Sequence, residues 1–163
     1  MIEIRPLHPS ESRAARRVMA EVCNEIWQFH QTAEEMEEEF EAMDEFIDIN
    51  ELETYYYDNG GIFLAIVDDD EVVGTGAIKR LSEDICELKR MWILKAYRAQ
   101  GWGKQIADAL LQFAEAAGYE RIWLEVYDPP VQQRAVEFYE RLGFREIPPY
   151  RESPAKLYME KLL

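Results

Sequence analysis

Arg98-Ala99-Gln100-Gly101-Trp102-Gly103-Lys104 combines two glycines with two cations, directly ahead of a segment patterned as a helix. Glycines let backbone amides approach an anion with no Cβ in the way, and a helix N-terminus adds partial positive charge. Arg98 and Lys104 would supply charge-assisted hydrogen bonds. The chemistry this suggests is the gripping of a diphosphate. Two familiar loops of that kind do not fit. A Walker loop needs a glycine where Arg98 stands and a serine or threonine where Gln105 stands, and a dinucleotide fingerprint needs a third glycine where Ile106 stands.

The elements around this loop follow from local pattern. Ile2-Glu3-Ile4 alternates up to Pro6, as a short edge strand does. Ser10 is placed to cap a helix whose apolar face runs Ala15, Val18, Met19, Val22, Ile26 and Phe29. Thr32-Ala33-Glu34-Glu35 has the capping-box form, and Met36, Phe40, Met43 and Ile47 predict the stripe of a second helix. Asp58-Asn59-Gly60-Gly61 turns into the apolar run 62–67. Asp68-Asp69-Asp70 then makes the turn of a hairpin with strand 72–78. Strand 86–94 feeds the glycine loop and a helix over 104–117, ended by Gly118. A strand at 121–127, a short helix stopped by Gly143, and closing strands at 144–147 and 156–162 complete the order β-α-α-β-β-β-α-β-α-β-β. This is an α/β (α+β) chain, expected to form one domain over residues 1–163 with a single mixed, mostly antiparallel sheet flanked by helices.

The chain has 163 residues and a net charge of −15. Such a charge repels nucleic-acid phosphates and acidic bilayers, so neither is an expected partner. No lysine or arginine lies between Arg17 and Lys79, whereas Glu34 to Glu53 is dense in carboxylates. Cys23 and Cys86 with His8 and His30 make no metal-ligand spacing, and no metal is expected. The N-terminal residues lack the charged-then-apolar pattern of a signal peptide, and a reducing cytoplasm is the expected location.

Glu87-Leu88-Lys89-Arg90-Met91-Trp92-Ile93, followed by Tyr97 to Lys104, resembles the cofactor motif of the GNAT superfamily of N-acetyltransferases. Ala135 to Phe144, with Phe138-Tyr139 and Leu142-Gly143-Phe144, is similar to the family's next motif. The resemblance covers the second half of the chain and implies an acetyl-CoA-dependent enzyme with a GNAT-like fold. It implies that the main chain of Met91, Trp92 and Ile93 pairs with the pantetheine arm, and that amides of Arg98, Ala99, Gln100, Gly101, Trp102, Gly103 and Lys104 cradle the diphosphate. Gln132 stands where many members have an asparagine that contacts the arm. Ala99, Gln100, Trp102 and the pair Lys95-Ala96 also depart from the common pattern, while both glycines are kept.

The same resemblance makes Glu87 the candidate general base and Tyr139 the candidate general acid. An amine attacks a thioester only as the neutral base, and the departing thiolate needs a proton or a hydrogen bond. The acceptor is expected to be a small-molecule amine or a protein amino group, and a homodimer is allowed for. The acidic residues of the second helix read as a solvated face, with steering of a cationic amine as the sharper alternative. Trp27, Tyr55, Tyr56 and Tyr57 are either pocket lining or core. The competing class is a non-catalytic acyl-CoA-binding sensor or interaction module.

Overall fold

A computed structural model describes all 163 residues. Seven strands form one sheet: β1 (Ile2–Pro6), β2 (Ile62–Asp68), β3 (Glu71–Arg80), β4 (Ile85–Ile93), β5 (Arg121–Val126), β6 (Arg145–Ile147) and β7 (Leu157–Leu162). Their spatial order is β1-β2-β3-β4-β5-β7-β6, and every neighbouring pair is antiparallel except β4 and β5. This is the mixed, mostly antiparallel sheet that the sequence predicts. The one parallel pair is joined through helix α4 (Trp102–Ala116), as a parallel pair requires a long crossover. Asp69 and Asp70 take φ of 46° and 73°, the left-handed pair that a tight hairpin needs.

The two sheet faces carry separate apolar clusters. On one, Ile106, Leu110 and Ala114 of α4 pack on Leu64, Ile66, Ile78, Leu88 and Ile122, with Val136 of α5 (Gln133–Arg141) at the margin. Gly76 lets α4 lie close to β3. A Cβ there would stand 2.6 Å from Met91 Sδ and 2.8 Å from Leu110 Cδ1. On the other face, Ala15, Val18, Met19, Val22 and Cys23 of α1 (Ser12–Trp27) cover Phe63, Ala65, Val67 and Ala77.

The first helices depart from expectation at their ends. His8, not Ser10, caps the opening turn, and α1 stops at Trp27 because Gln28 turns left-handed, which leaves Phe29 outside the helix. The capping box at Thr32 and Glu35 forms reciprocally at 3.1 Å. The stripe expected downstream of it does not continue. Helix α2 (Ala33–Ala42) ends before Met43, Asp44 turns at φ 58°, and α3 (Ile47–Asn50) starts anew. Met43 is therefore 59% exposed and Ile47 40%, while Phe46 and Ile49 enter the core instead.

One buried ion pair ties this helical cap to the sheet. Arg90 adopts φ 60° next to the point where the β3–β4 register shifts, and its guanidinium grips Asp48 with Nη2 at 2.6 Å and Nε at 3.0 Å. Tyr56 donates to the same carboxylate at 2.5 Å, and the Glu45 carbonyl accepts from Arg90 at 2.7 Å. Burial alone would raise the Asp48 carboxyl, but Arg90 outweighs it and holds the group below its ordinary value. The sign follows: this contribution to stability is complete above the ordinary aspartate range and is lost as pH falls through the lowered value. Asp48→Asn leaves a buried guanidinium without its counter-charge, and chemical denaturation should show a loss of about 3–5 kcal/mol. A loss below about 1 kcal/mol would mean that the pair does not anchor the cap.

Candidate active site

Strands β4 and β5 pair only at Ile85/Arg121, Cys86/Ile122 and Glu87/Trp123, although β4 continues to Ile93 and β5 to Val126. Beyond Glu87 the sheet is a fork. The Leu94 amide donates to Val73 at 3.0 Å, so alternation turns the main chain of Trp92 toward β3 and that of Met91 and Ile93 into the fork. Arg98 Nε takes the Ile93 carbonyl at 2.8 Å. Of the three residues expected to pair with the pantetheine arm, Met91 and the Ile93 amide remain open to it, and Trp92 faces the neighbouring strand.

The fork leads into the glycine loop. Ala99 and Gly101 both have positive φ, 60° and 89°, and Gly101 is the N-cap of α4. The amides of Ala99, Gln100, Gly101, Trp102, Gly103 and Lys104 donate to no acceptor in the protein, and no side chain caps the helix. A row of unpaired donors at a helix start is an anion site in waiting. The fold itself does not demand the second glycine. A Cβ on Gly103 would meet only Ile93 Cδ1, at 3.4 Å.

Two expected loop cations are committed elsewhere. Arg98 makes a two-pronged pair with Glu25 of α1 at 2.6 and 2.9 Å, and its amide donates to Lys95, so it braces the loop from behind. Lys104 reaches Asp108 at 2.6 Å, an exposed pair one helical turn along, which a ligand anion could break at little cost. Gln132 uses Oε1 to accept the Asp128 amide at 3.0 Å, so its carbonyl end serves its own loop.

Glu87 lies at the crotch of the fork and is 1% exposed. Tyr150 donates to its Oε2 at 2.6 Å, with Arg151 Nη2 at 3.5 Å. Its Oε1 has no hydrogen-bond partner, and its nearest charge is Lys89 Nζ at 3.6 Å. A buried carboxylate oxygen with no donor is an exception that asks for one. Tyr150 is held by stacking on Trp123, ring centroids 4.6 Å apart, and burial followed by the Glu87 charge raises its phenol, which keeps it a donor. Arg151 is anchored by Glu125 at 2.5 Å.

Tyr150 and Arg151 are functional candidates that sequence reasoning passed over. They sit in the Pro-rich stretch between β6 and β7, 63 residues from Glu87 in the case of Tyr150, and only the pairing of β5 with β7 brings them to it. Tyr139 lies on α5 against Phe138 and Phe144, half-buried, on the sheet face opposite α1. Burial pushes its phenol up, so it is protonated at neutral pH, and no protein group hydrogen-bonds it.

The acidic helix does not face the fork as a charged wall. Glu34 and Glu37 approach Arg17, Glu41 accepts from Asn50, and Asp48 belongs to Arg90. The aromatic residues sort likewise. Tyr56 is fully buried on Asp48, Tyr57 bonds the Leu7 and Phe63 carbonyls, and Tyr55 lies under Lys79, while Trp27 Nε1 donates to Asp128 at 3.1 Å across the mouth between α1 and α5.

Comparison with known proteins agrees with this geometry. Residues 19–144 match the profile of the Acetyltransferase (GNAT) family, and the chain belongs to that family. It is 34% identical over 102 residues to the uncharacterized N-acetyltransferase YjgM of Escherichia coli, covering 61% of this chain and 60% of that protein. It is 33% identical over 102 residues to the N-acetylaspartate synthetase of Xenopus tropicalis, covering 61% of this chain and 37% of that protein. Among solved structures, a GNAT-family acetyltransferase from Staphylococcus aureus superposes with a TM-score of 0.81 at 22% identity, covering 99% of both chains. The PaiA N-acetyltransferase of Thermoplasma acidophilum, in complex with coenzyme A, superposes with a TM-score of 0.77 at 19% identity, covering 100% of this chain and 99% of that one.

The open surroundings of Gly103 generate a test. Gly103→Ala should leave the melting temperature equal or higher, since alanine is the better helix former, yet weaken coenzyme A binding about tenfold by calorimetry. Equal affinity would show that nothing approaches the main chain there.

Proposed function

We propose that this chain transfers the acetyl group of acetyl-CoA to a primary amine by direct attack. The observation that carries the reading is the open edge of β4, which runs from the buried carboxylate of Glu87 toward the unpaired amides at Ala99 to Lys104. The loop amides hold the diphosphate, and the main chain of Met91 and the Ile93 amide hold the arm. The fork passes through the sheet, so the thioester arrives from the α4 side and the amine from the α1 side.

Glu87 takes a proton from the attacking amine through its open Oε1, directly or by way of one water, because its burial limits direct approach. The new C–N bond forms at the thioester carbon while an amide near Met91 stabilises the oxyanion. As the C–S bond breaks, Tyr139 gives its phenolic proton to the departing sulfur and recovers one from solvent. The proton leaving the amine thus balances the one gained by the thiol. Tyr150 and Arg151 hold the Glu87 carboxylate from its other oxygen.

Tyr139→Phe should lower kcat about 100-fold with coenzyme A affinity nearly unchanged, measured by thiol release and calorimetry. Unchanged turnover would remove Tyr139 from the mechanism. Glu87→Gln should lose most activity at the acidic end of the working range, where the acceptor is hardest to deprotonate. A ratio to wild type that is flat with pH would assign Glu87 to structure alone, and coenzyme A binding without turnover on any amine would favour the sensor role.

A further inference from the structure

Lys89 is the first residue past Glu87 on the same face of β4, and so the first inside the fork on the α1 side. Its side chain is 23% exposed, and its ammonium has no hydrogen-bond acceptor in the protein. The nearest carboxylate oxygen, Glu87 Oε1 at 3.6 Å, is itself without a donor. Lys89 and Glu87 Oε1 therefore stand as an ion pair at 3.6 Å, with no hydrogen bond closing it. Cheaper solutions are available to a purely structural pair, which would close to contact.

Resting on the acetyltransfer reading above, we infer that the acceptor is a free α-amino acid, with its amine directed at Glu87 Oε1, in contact or through one water, and its carboxylate on Lys89 Nζ. The amine and carboxylate of an α-amino acid are one carbon apart, so both reach two protein atoms separated by 3.6 Å. Each then receives the partner that the protein withholds.

Local charge agrees. The groups acting on Lys89 are Arg90, Glu87, Asp48 and Lys79, which with Lys89 itself gives three cations against two carboxylates. Asp48 is matched by Arg90, while Glu87 is shared among Lys89, Arg151 and Tyr150. Burial, then the like charge of Arg90, lowers the Lys89 ammonium below its ordinary value. A polyamine finds the reverse here, with one open carboxylate oxygen beside a like-charged ammonium. Of the α2 carboxylates, Glu34 and Glu37 lie against Arg17 and Glu41 accepts from Asn50.

The test is thiol release from acetyl-CoA with a panel of free amino acids, each matched to its carboxamide and to the amine lacking the carboxylate. At least one amino acid should exceed both matched compounds in kcat/KM by about tenfold or more, the difference lying mainly in KM. Lys89→Met should collapse that ratio toward one, and Lys89→Arg should retain part of it. Carboxamides or decarboxylated amines equalling the amino acids in the wild type, or a ratio untouched in Lys89→Met, would overturn the acceptor class while leaving acetyl transfer standing. No thiol release from any member of the panel would overturn this inference, and acetyl transfer falls with it only if peptide amines release none either.

Discussion

Every helix start leaves its first amides without an intrahelical acceptor, and here the loop ahead of α4 extends that row back to Ala99. From Ala99 to Lys104 the main chain turns through two left-handed residues into α4 without spending its donors. The site depends on that economy. The same shortage of partners appears along β4 past Glu87, where β5 has swung away. An extended, phosphate-bearing ligand is what such a row of main-chain donors suits.

Everything packed around the fork keeps it open. Gly76 lets α4 settle on β3 so that the start of the helix meets the end of β4. Arg98, fastened to Glu25 and to the Ile93 carbonyl, ties the loop to α1 and to the strand it leaves. On the opposite face the Asp48–Arg90 pair fixes α3 against the irregular point of β4. Tyr150, wedged on Trp123, closes the crotch and leaves Glu87 with one oxygen satisfied and one free.

What the sequence made legible is what short range decides. The capping box at Thr32, the left-handed turn at Asp69-Asp70, the stop at Gly118 and the glycine loop each depend on a handful of adjacent residues, and each stands where its residues predict. The fold class followed from the order of those elements. Long-range partnerships were not legible. Asp48 reads as one more acid on a solvated helix, yet it is buried on Arg90, 42 positions away. Arg98 reads as a phosphate ligand because it flanks glycines, and nothing local reveals that Glu25 claims it. Met43 and Ile47 keep helical spacing, but the break at Asp44 rotates Phe46 into the core in their stead. Tyr150 and Arg151 sat in a stretch read only as a Pro-rich loop, because their role depends on β7 pairing with β5.

The most direct measurement is of the donors themselves. In an amide proton–nitrogen correlation spectrum titrated with coenzyme A, the signals of Ala99, Gln100, Gly101, Trp102, Gly103 and Lys104 should move downfield together, with Met91 and Ile93 following. Those of the α2 surface should stay in place. Binding of coenzyme A that leaves the 99–104 amides where they were would contradict the account.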